Sequence, residues 1–537
     1  MNNRKYIPVI DIFAGPGGLG EGFSAFLPKE RKICPFNIEA SVEMDSHAHH
    51  TLELRSFFRE FSKSKVPREY YSYVRGDISR ERLFSKYPAQ AKRAAIKAIK
   101  ATLGNSDDDA FVYKRIEDVI TKNGENPWVL IGGPPCQAYS IIGRARQQAY
   151  TIGKEKHQKD ARNFLYKEYL GIIAKFRPTI FIMENVAGIL SAKINDESIF
   201  KKILSDLSKP IDAVGVRASG WKNSSNDLQY VIYPLTIGIE DANNRDPSAY
   251  IIKCEEYGIP QARHRVILLG IRNDVSVKPM ILKKRNRLIS AGEVLSDLPL
   301  LRSDFTKNGT TSKEWQNFIR EIKKQRWYEK CGDTIMKSGN GRATMLRSVM
   351  DRYIAQVRNN LSVGKEFILG KPSPRYRPDW YVDQSLGGFL NHSSRRHMKE
   401  DLYRYFFAAS VASITGRSPL LSSFPRALLP NHKNVKEVIG AQMKFDDRFR
   451  VQLKNEPART ITCHLSKDGH YSIHYDASQC RSLTVREAAR LQTFPDNYFF
   501  EGPRTQKFKQ VGNAVPPLIA CQIAGIIYDV ITSINKQ

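Results

Sequence analysis

Cysteine is scarce in this 537-residue sequence, and its spacing excludes two common uses of that residue. The seven cysteines lie far apart, and no two of them form a C-x-x-C pair. Neither a disulfide framework nor a zinc site built on paired cysteines is therefore indicated. A reducing compartment fits this pattern, and we expect a cytoplasmic protein.

Long hydrophobic runs are also missing. No apolar stretch approaches the ~20 residues that a membrane-spanning helix needs. The first residues, Met1–Tyr6, lack the apolar region of a signal peptide and lead directly into a predicted strand. We therefore expect no membrane partner. The length and a hydrophobic content of 41% allow two or three domains with substantial cores.

Acidic residues are few relative to basic ones. The chain has 84 Lys and Arg against 55 Asp and Glu, which gives a formal net charge of +29. Residues 275–460 alone hold 35 Lys and Arg against 17 Asp and Glu. A generally basic surface would spread this excess evenly, so its concentration favours a dedicated face for a polyanion such as nucleic acid.

A glycine-rich turn, Ala14–Gly20, follows the first predicted strand, Ile7–Phe13. Its glycines have the G-x-G-x-x-G spacing between a strand and a helix, where the backbone can approach a nucleotide-like ligand closely. A second predicted strand, Phe36–Val42, ends at Glu43, in the place where an acid commonly binds ribose hydroxyls. These features alone would also suit an enzyme that uses NAD or FAD.

The loop Gly132–Gln137 reads Gly-Gly-Pro-Pro-Cys-Gln and follows the apolar run Trp128–Ile131. That run predicts a short buried strand of a parallel sheet, which the glycines and prolines end. Cys136 is thereby presented at the carboxyl edge of the sheet, where open α/β folds place their chemistry. An inert buried cysteine is the alternative, but a core position does not require Gly-Gly-Pro-Pro before it.

Two more predicted strands carry charged residues at their ends, and Glu184 lies at the same edge as Cys136. The strand Pro178–Met183 ends at Glu184, a carboxylate that needs a partner if it is buried. Arg263 and Arg265 precede the strand Val266–Leu269, and their alternation puts both on one face of an extended chain. A structural glutamate and two surface arginines remain the alternatives.

Several segments resemble, in the same order, the motifs of the DNA cytosine-5 methyltransferase family in its compact microbial form. They are Asp11–Gly18, Gly76–Ile78, Pro134–Gln137, Glu184–Val186, Gln261–Arg265, Arg481–Pro495 and Gln510–Pro517. The resemblance covers residues 7–270 and the carboxyl-terminal end. It leaves residues 79–127 and 275–460 outside. In the first of these we expect a helix at Ala89–Leu103 and a solvent loop at Asp107–Asp109.

The resemblance implies an α/β fold: a Rossmann-like S-adenosylmethionine-dependent methyltransferase sheet with helices on both faces, plus a smaller basic target-recognition domain. We assign residues 1–274 to the catalytic and cofactor-binding domain, with an insert at about 79–127. Residues 275–460 form the target-recognition domain, and residues 461–537 return to the catalytic domain.

The implied cofactor is S-adenosyl-L-methionine, which becomes S-adenosyl-L-homocysteine, and no metal is needed. Phe13 and Met44 would lie against the adenine, Glu43 would hold the ribose, and Asp77 would accept from the adenine amino group. Asn513 would return to the same pocket. The expected cofactor residues are Phe13, Ala14, Gly15, Gly17, Gly18, Leu19, Glu43, Met44, Asp77, Ile78, Pro134, Leu165, Asn513 and Ala514. The alternative for Asp77 is an ordinary turn residue.

The implied reaction begins when the target cytosine leaves the duplex, because its C6 atom cannot be reached inside the stack. Cys136 would attack C6, and Glu184 would donate a proton to N3. Arg265 would hold O2, and Arg263 would fix the DNA backbone or a loop. C5 would then accept the methyl group.

The expected partner is double-stranded DNA with a specific sequence, bound by a monomer beside a separately acting restriction endonuclease. The segments Tyr376–Tyr381 and Asn391–His397 combine aromatic rings with hydrogen-bond donors and would suit groove and phosphate contacts. The loop 138–160 would close over the DNA, with Arg144 and Arg146 near phosphates.

Two other functions use the same residues differently. A tRNA cytosine-5 methyltransferase would share the chemistry, but the basic stretch at 275–460 argues for duplex DNA. A non-catalytic DNA-binding homologue would have no use for Cys136, Glu184 and the two arginines together.

Overall fold

The computed structural model describes residues 6–135, 165–194, 196–215, 229–238, 246–430 and 446–534. Within these ranges the strands are β1 Ile7–Ile12, β2 Phe36–Glu43, β3 Ala98–Lys100, β4 Val129–Gly132, β5 Ile180–Val186, β6 Lys193–Ile194, β7 Glu197–Ser198, β8 Tyr230–Tyr233, β9 Ile251–Lys253, β10 Gln261–Ala262, β11 His264–Arg272, β12 Ile335–Lys337, β13 Ala343–Met345, β14 Gly364–Leu369, β15 Gly388–Ser393 and β16 Ala458–Arg459.

The α-helices in the same ranges are α1 Gly18–Ala25, α2 Ser46–Arg59, α3 Arg68–Arg75, α4 Arg80–Lys86, α5 Pro88–Lys97, α6 Ser106–Asn123, α7 Leu165–Phe176, α8 Ile199–Ser208, α9 Pro210–Val214, α10 Ala291–Leu295, α11 Ser312–Arg320, α12 Arg326–Gly332, α13 Leu346–Gln356, α14 Pro378–Tyr381, α15 Lys399–Thr415, α16 Val485–Leu491, α17 Arg504–Asn513 and α18 Pro517–Ile534.

A central sheet of eight strands has the order β3-β2-β1-β4-β5-β11-β8, and β9 pairs with β11 beside β8. The strands from β3 to β5 are parallel, whereas β11 runs antiparallel to β5, β8 and β9. The order of the strands reverses around β1 and β4, the kind of switch point where open sheets bind ligands. The predicted Rossmann-like methyltransferase fold is confirmed.

Helices cover both faces of the sheet, because successive strand residues point to opposite sides. Val9 of β1 joins an apolar cluster with Phe23 of α1 and Ile523 of α18. Its neighbour Ile10 joins a second cluster on the other face, with Ile116 of α6 and other side chains of α6 and α7. Both faces of the sheet are therefore covered by apolar side chains, as a mostly parallel sheet requires.

The carboxyl-terminal helix α18 packs directly on α1. A Cβ atom on Gly22 would lie 2.4 Å from the Cβ atom of Ala520, so only glycine permits this approach. The stretch 504–534 is long and apolar enough to cross a membrane, but 72% of its apolar window is buried within the protein. The stretch is thus part of the core, and its helix α18 holds the two ends of the chain together.

Part of the predicted insert at 79–127 belongs to the central sheet. The helix expected at Ala89–Leu103 ends at Lys97, and β3 follows at once beside β2. The solvent loop expected at Asp107–Asp109 is wrong, because these residues form the first turn of α6. Asn105 caps that helix, and acidic side chains are favourable at a helix amino terminus.

Residues 275–460 contribute to more than one core. Val294 and Phe389 belong to the same cluster as β1 and α18. Trp315, Phe406 and Val451 belong to a separate cluster built from α11 to α13, α15 and the residues after them. A second packed unit is therefore present, and parts of the chain before it and between its segments join the core of the central sheet.

Four of the rings in the two segments that we expected to contact DNA are buried, which contradicts that prediction for these rings. Tyr376 and Tyr381 are only 7% and 0% exposed, and the Tyr381 hydroxyl donates to the carbonyl of Arg490. His392 and His397 are also buried, and His392 contacts the Thr484 hydroxyl. Rings that fill a core are not available for groove contacts.

Candidate active site

A cavity of about 410 Å³ lies at the carboxyl edge of β1, β2, β4 and β5. The residues that line it are Phe13, Ala14, Gly15, Pro16, Gly18, Leu19, Val42, Glu43, Met44, Asp45, Ala48, Ala101, Thr102, Leu103, Gly133, Pro134, Pro135, Leu165, Glu184, Asn185, Val186, Arg263, Arg265, Gln506, Lys509, Gln510, Gly512, Asn513, Ala514 and Val515. Eight separate stretches of sequence thus share one space.

Glu43 closes one side of this cavity at the end of β2. Its two carboxylate oxygens accept from the backbone N–H groups of Gly15 and Asp45, each at 2.8 Å. Gly15 has a φ of 57°, a left-handed conformation that glycine adopts without strain. Burial raises the pKa of Glu43, although both backbone bonds favour its ionised form. The glycine-rich turn and the carboxylate therefore hold each other in place.

Glu184 and Arg265 form an ion pair at the opposite side of the cavity. The Arg265 Nε atom lies 2.8 Å from Glu184 Oε1, and the two side chains are 14% and 13% exposed. Their strands β5 and β11 are antiparallel neighbours, and Val186 is paired with Arg265. The antiparallel direction of β11 therefore brings Arg265 to Glu184 at this edge of the sheet.

The loop that leads towards Cys136 begins against this pair. A Cβ atom on Gly133 would lie 2.8 Å from Glu184 Oε2, so a side chain there would press on the carboxylate. The Asn185 side chain donates to the carbonyl of Pro134 over 3.4 Å. Cys136, Arg144 and Arg146 lie outside the described residues, so the chain is described up to Pro135 on this side of the cavity.

Comparison with known proteins identifies the family to which this chain belongs. The sequence matches the C-5 cytosine-specific DNA methylase family over residues 95–210 and 242–529. The chain belongs to this family. It is a DNA (cytosine-5-)-methyltransferase, and the family match confirms the resemblance noted in the sequence.

Three relatives show how far the likeness extends. A type II methyltransferase of Bacillus paralicheniformis, M.Bpa9945I, is 31% identical over 541 residues, which cover 97% of this chain and 99% of that protein. M.AgeI of Thalassovita gelatinovora is 27% identical and covers 74% of this chain and 82% of its own length. The DNA (cytosine-5-)-methyltransferase M.ApeKI of Aeropyrum pernix is 23% identical, with coverages of 78% and 84%.

Arg263 of this methyltransferase lines the cavity but directs its guanidinium into the protein. Its Nη1 donates to the carbonyl of Ile461 at 2.8 Å and its Nη2 to that of Gly512 at 3.0 Å. The residue is 1% exposed. Burial, and then the nearby charge of Arg265, lower the pKa of Arg263 to about 9, which leaves it cationic at neutral pH.

Most of the predicted cofactor residues reach the cavity, but three do not. Asp77 and Ile78 follow Gly76, which ends α3 with a φ of 91°, so no strand carries them to the edge of the sheet. Ile78 packs instead against a separate apolar cluster that includes Phe58. Gly17 caps the amino terminus of α1, and a Cβ atom there would meet the Leu52 side chain at 2.7 Å.

Among the lining residues that were missed from the sequence, one group follows β3 and another belongs to α17. Ala101, Thr102 and Leu103 line the cavity in the place that we had given to Asp77 and Ile78. β3 has only three residues, and a helical pattern leads directly into it, so neither length nor periodicity marks it as a strand. The side chain of Asp108 accepts from Thr102 N–H at 2.7 Å. An acidic residue six positions after Thr102 is therefore the sequence signal that could have located the turn after β3.

Proposed function

We propose that this methyltransferase transfers a methyl group from S-adenosyl-L-methionine to C5 of a cytosine that is flipped out of a specific duplex DNA sequence. The observation that carries the proposal is the ion pair between Glu184 and Arg265 in the cavity that Glu43 and the glycine-rich turn enclose. One space therefore offers both a nucleoside-binding carboxylate and a hydrogen-bonding pair for a pyrimidine.

The part of the cavity near Glu43 fits the methyl donor. An ionised carboxylate with one lone pair per oxygen already engaged can still accept from two ribose hydroxyls. Phe13 and Met44 supply apolar surface for a purine ring, and Asn513 is exposed towards the same space. When bound, S-adenosyl-L-methionine supplies an electrophilic methyl group.

The ion pair at the other end fits cytosine. A guanidinium can donate to the O2 atom of the base, while the carboxyl group of Glu184, once protonated, donates to N3. Both interactions strengthen as negative charge develops on the ring during attack at C6. Arg265 also fixes the orientation of Glu184, because its Nε binds one of the two carboxylate oxygens.

We assign the nucleophile to Cys136 on the strength of the Pro-Pro-Cys-Gln sequence. Its thiolate would form a bond to C6, and N3 would take a proton from Glu184, which makes C5 nucleophilic. After C5 has accepted the methyl group, which leaves S-adenosyl-L-homocysteine, a base would remove the C5 proton, the bond between sulfur and C6 would break, and N3 would return its proton to Glu184. This returns the thiolate and leaves 5-methylcytosine.

We assign DNA recognition to residues 275–460, which carry much of the positive charge of the chain. Within this segment the hairpin β12–β13 is largely exposed and carries Lys337 and Arg342. A two-stranded ribbon of this kind fits the major groove of duplex DNA. We therefore propose this hairpin as a DNA-contacting element.

The proposed setting is a microbial restriction-modification system in the cytoplasm. The names of M.Bpa9945I and M.AgeI describe type II methyltransferases, and M.Bpa9945I matches this chain over nearly its full length. We propose that a separate endonuclease cleaves the same DNA sequence when it is unmethylated. The methyltransferase itself would act as a monomer.

The proposal is tested by expressing the protein in a bacterial host that lacks cytosine methylation and sequencing the bisulfite-treated genome. We expect 5-methylcytosine at one position within one short sequence. A parallel assay with tritiated S-adenosyl-L-methionine compares that DNA with total tRNA. Methylation of tRNA but not DNA, or of neither, would overturn the proposal.

A Cys136→Ser variant examines the chemistry in the same assays. It should retain S-adenosyl-L-methionine binding but lose methyl transfer. A DNA duplex with 5-fluorocytosine at the target should trap the wild-type protein in an adduct that resists denaturation. Peptide mapping that placed this adduct away from Cys136 would contradict the assigned nucleophile.

A further inference from the structure

Two glutamine side chains form a buried chain of amides behind the active site. Gln261 lies at the start of β10, two residues before Arg263, and Gln492 follows the end of α16. Both are essentially inaccessible to solvent. The Gln261 Nε2 atom donates to Gln492 Oε1 at 3.0 Å, although the two residues are 231 positions apart in the sequence.

Each amide hydrogen of the pair has an acceptor. Gln261 Nε2 also reaches the carbonyl of Leu491 at 3.2 Å, and Gln492 Nε2 donates to the carbonyls of Val511 and Ala514 at 2.7 and 3.3 Å. At the other end, Gln261 Oε1 accepts from Ile461 N–H at 2.6 Å. Reversal of either amide would set donor against donor or acceptor against acceptor, so the direction of the chain is fixed.

The amide chain joins three segments that have different tasks in the proposed reaction. Gln261 belongs to the segment that ends in Arg265. Ile461 belongs to the segment that leaves the proposed recognition region, where β16 pairs with β10. Val511 and Ala514 flank Asn513, whose turn lines the cavity.

Arg263 joins the same segments through a second set of hydrogen bonds. It binds the carbonyls of Ile461 and Gly512. Ile461 is therefore held at its N–H by Gln261 and at its carbonyl by Arg263. The carbonyls of residues 511, 512 and 514 are all engaged by Gln492 or Arg263, so the turn that carries Asn513 cannot shift without breaking this network.

We propose that Gln261 and Gln492 are positioning residues that couple DNA binding to binding of the methyl donor. This inference rests on the proposed function. DNA bound to the proposed recognition region would change the position of Ile461, which follows β16. The amide chain would transmit this change to the turn at Asn513. Binding of cognate DNA therefore tightens binding of S-adenosyl-L-methionine, and the reverse holds by thermodynamic reciprocity.

The test uses Gln261→Met, Gln492→Met and the double variant, because methionine has a similar shape but cannot form the amide bonds. Gln316→Met is the matched control. Gln316 is also buried and donates to the carbonyl of Val357 at 2.8 Å, but neither residue lines the cavity or bonds to the amide chain. Each protein is measured by titration with S-adenosyl-L-methionine, alone and in the presence of cognate duplex DNA.

We expect cognate DNA to tighten S-adenosyl-L-methionine binding to the wild type and to the Gln316 variant by the same factor. In each of the other single variants that factor should fall by roughly 10-fold or disappear, since one or more buried hydrogen bonds are lost. The double variant should lose no more than either single variant, because both residues act through one chain. KM for the methyl donor should rise more than kcat falls.

Equal coupling factors in all proteins would overturn the inference, and so would losses in the Gln316 variant that match the others. Should a methionine variant not fold, Gln492→Asn gives a second measurement, because the shorter amide cannot reach the carbonyls of Val511 and Ala514. An inactive wild type would instead count against the proposed function itself. The two failures are therefore distinguishable.

Discussion

At the scale of single residues, Glu184 and Arg265 depend on each other. Each is a charged group that is mostly withdrawn from water, and an unpaired charge in that position would be costly. Their ion pair offsets this cost. It also places a carboxylate and a guanidinium, which can both form hydrogen bonds, beside the cavity. The alternatives of a structural glutamate and a surface arginine do not explain why the pair faces that space.

Substitution of Glu184 by Gln should lower kcat by about 10²- to 10⁴-fold, since the side chain could no longer transfer a proton to N3. The amide is nearly isosteric, so we expect DNA affinity to change little. The measurement is single-turnover methyl transfer to cognate duplex DNA. Glu39→Gln is the control, because Glu39 also pairs with an arginine, Arg115, but does not line the cavity. A Glu184 variant with near wild-type kcat would contradict the assigned role.

At the scale of secondary-structure elements, close packing of α1 on α18 allows the two ends of the chain to build one cavity. Gly18 would place a Cβ atom 2.2 Å from the carbonyl oxygen of Val515, next to the turn that carries Asn513. The glycines of α1 are therefore needed for helix packing as much as for the ligand. The sequence motif predicted the second role but not the first.

The Gly22→Ala variant tests this packing, because helix propensity and close packing predict opposite changes in the free energy of unfolding. Alanine normally stabilises a helix interior by roughly 1 kcal/mol relative to glycine. Here its methyl group would overlap Ala520, and such overpacking costs about 1–3 kcal/mol. We expect a net loss of unfolding free energy in urea titrations. Gly339→Ala, at a position with open space around it, should show no such loss.

The packing of secondary-structure elements also explains why some predictions from the sequence were wrong. β3 is too short to show a period, and its position beside β2 is decided by pairing with Ser41–Glu43. The rings of Tyr376 and Tyr381 looked suited to DNA, but aromatic side chains serve a core equally well. Composition does not distinguish these uses, because burial depends on what packs on the segment.

At the scale of the whole molecule, two buried histidines link stability to pH, and one of them, His392, joins the proposed recognition region to the catalytic part. His392 bonds to Thr484 and to the carbonyl of Pro299, and His474 faces Glu487, Asp476 and Arg481. Burial is the main cause that lowers the pKa of both His392 and His474 to about 4. Both must therefore be neutral in the folded protein at ordinary pH.

Stability should consequently fall as the pH is lowered from 6.5 to 4. In this window the unfolded chain binds protons on these histidines and the folded protein does not, so each contributes a loss of about 1.4 kcal/mol per pH unit. Urea titrations at pH 7.5 and 5.0 measure the effect. His392→Gln should reduce the difference between the two pH values. An unchanged difference would show that His392 is not the cause.

The charge of the whole molecule leads to a prediction about salt. With a net charge of +29, DNA affinity should decrease steeply and linearly on a log–log plot against salt concentration. Replacing Lys337 and Arg342 by Ala should reduce the slope by about 1 to 2. Lys114 and Lys122 on α6 provide a control pair, whose replacement should leave the slope unchanged. Equal slopes for both variants would exclude the hairpin as a contact.

The sequence by itself determined the strands β1, β2, β4 and β5, the glycine-rich turn, Glu43, and the charged residues near the end of β5 and the start of β11. Local patterns carry this information, because period, turn chemistry and charge are properties of neighbouring residues. Only the tertiary structure decided that Ala101–Leu103 rather than Asp77 completes the cavity, and that Arg263 and the two glutamines hold distant segments together. Those contacts join residues hundreds of positions apart, and no local pattern records which buried polar groups will meet.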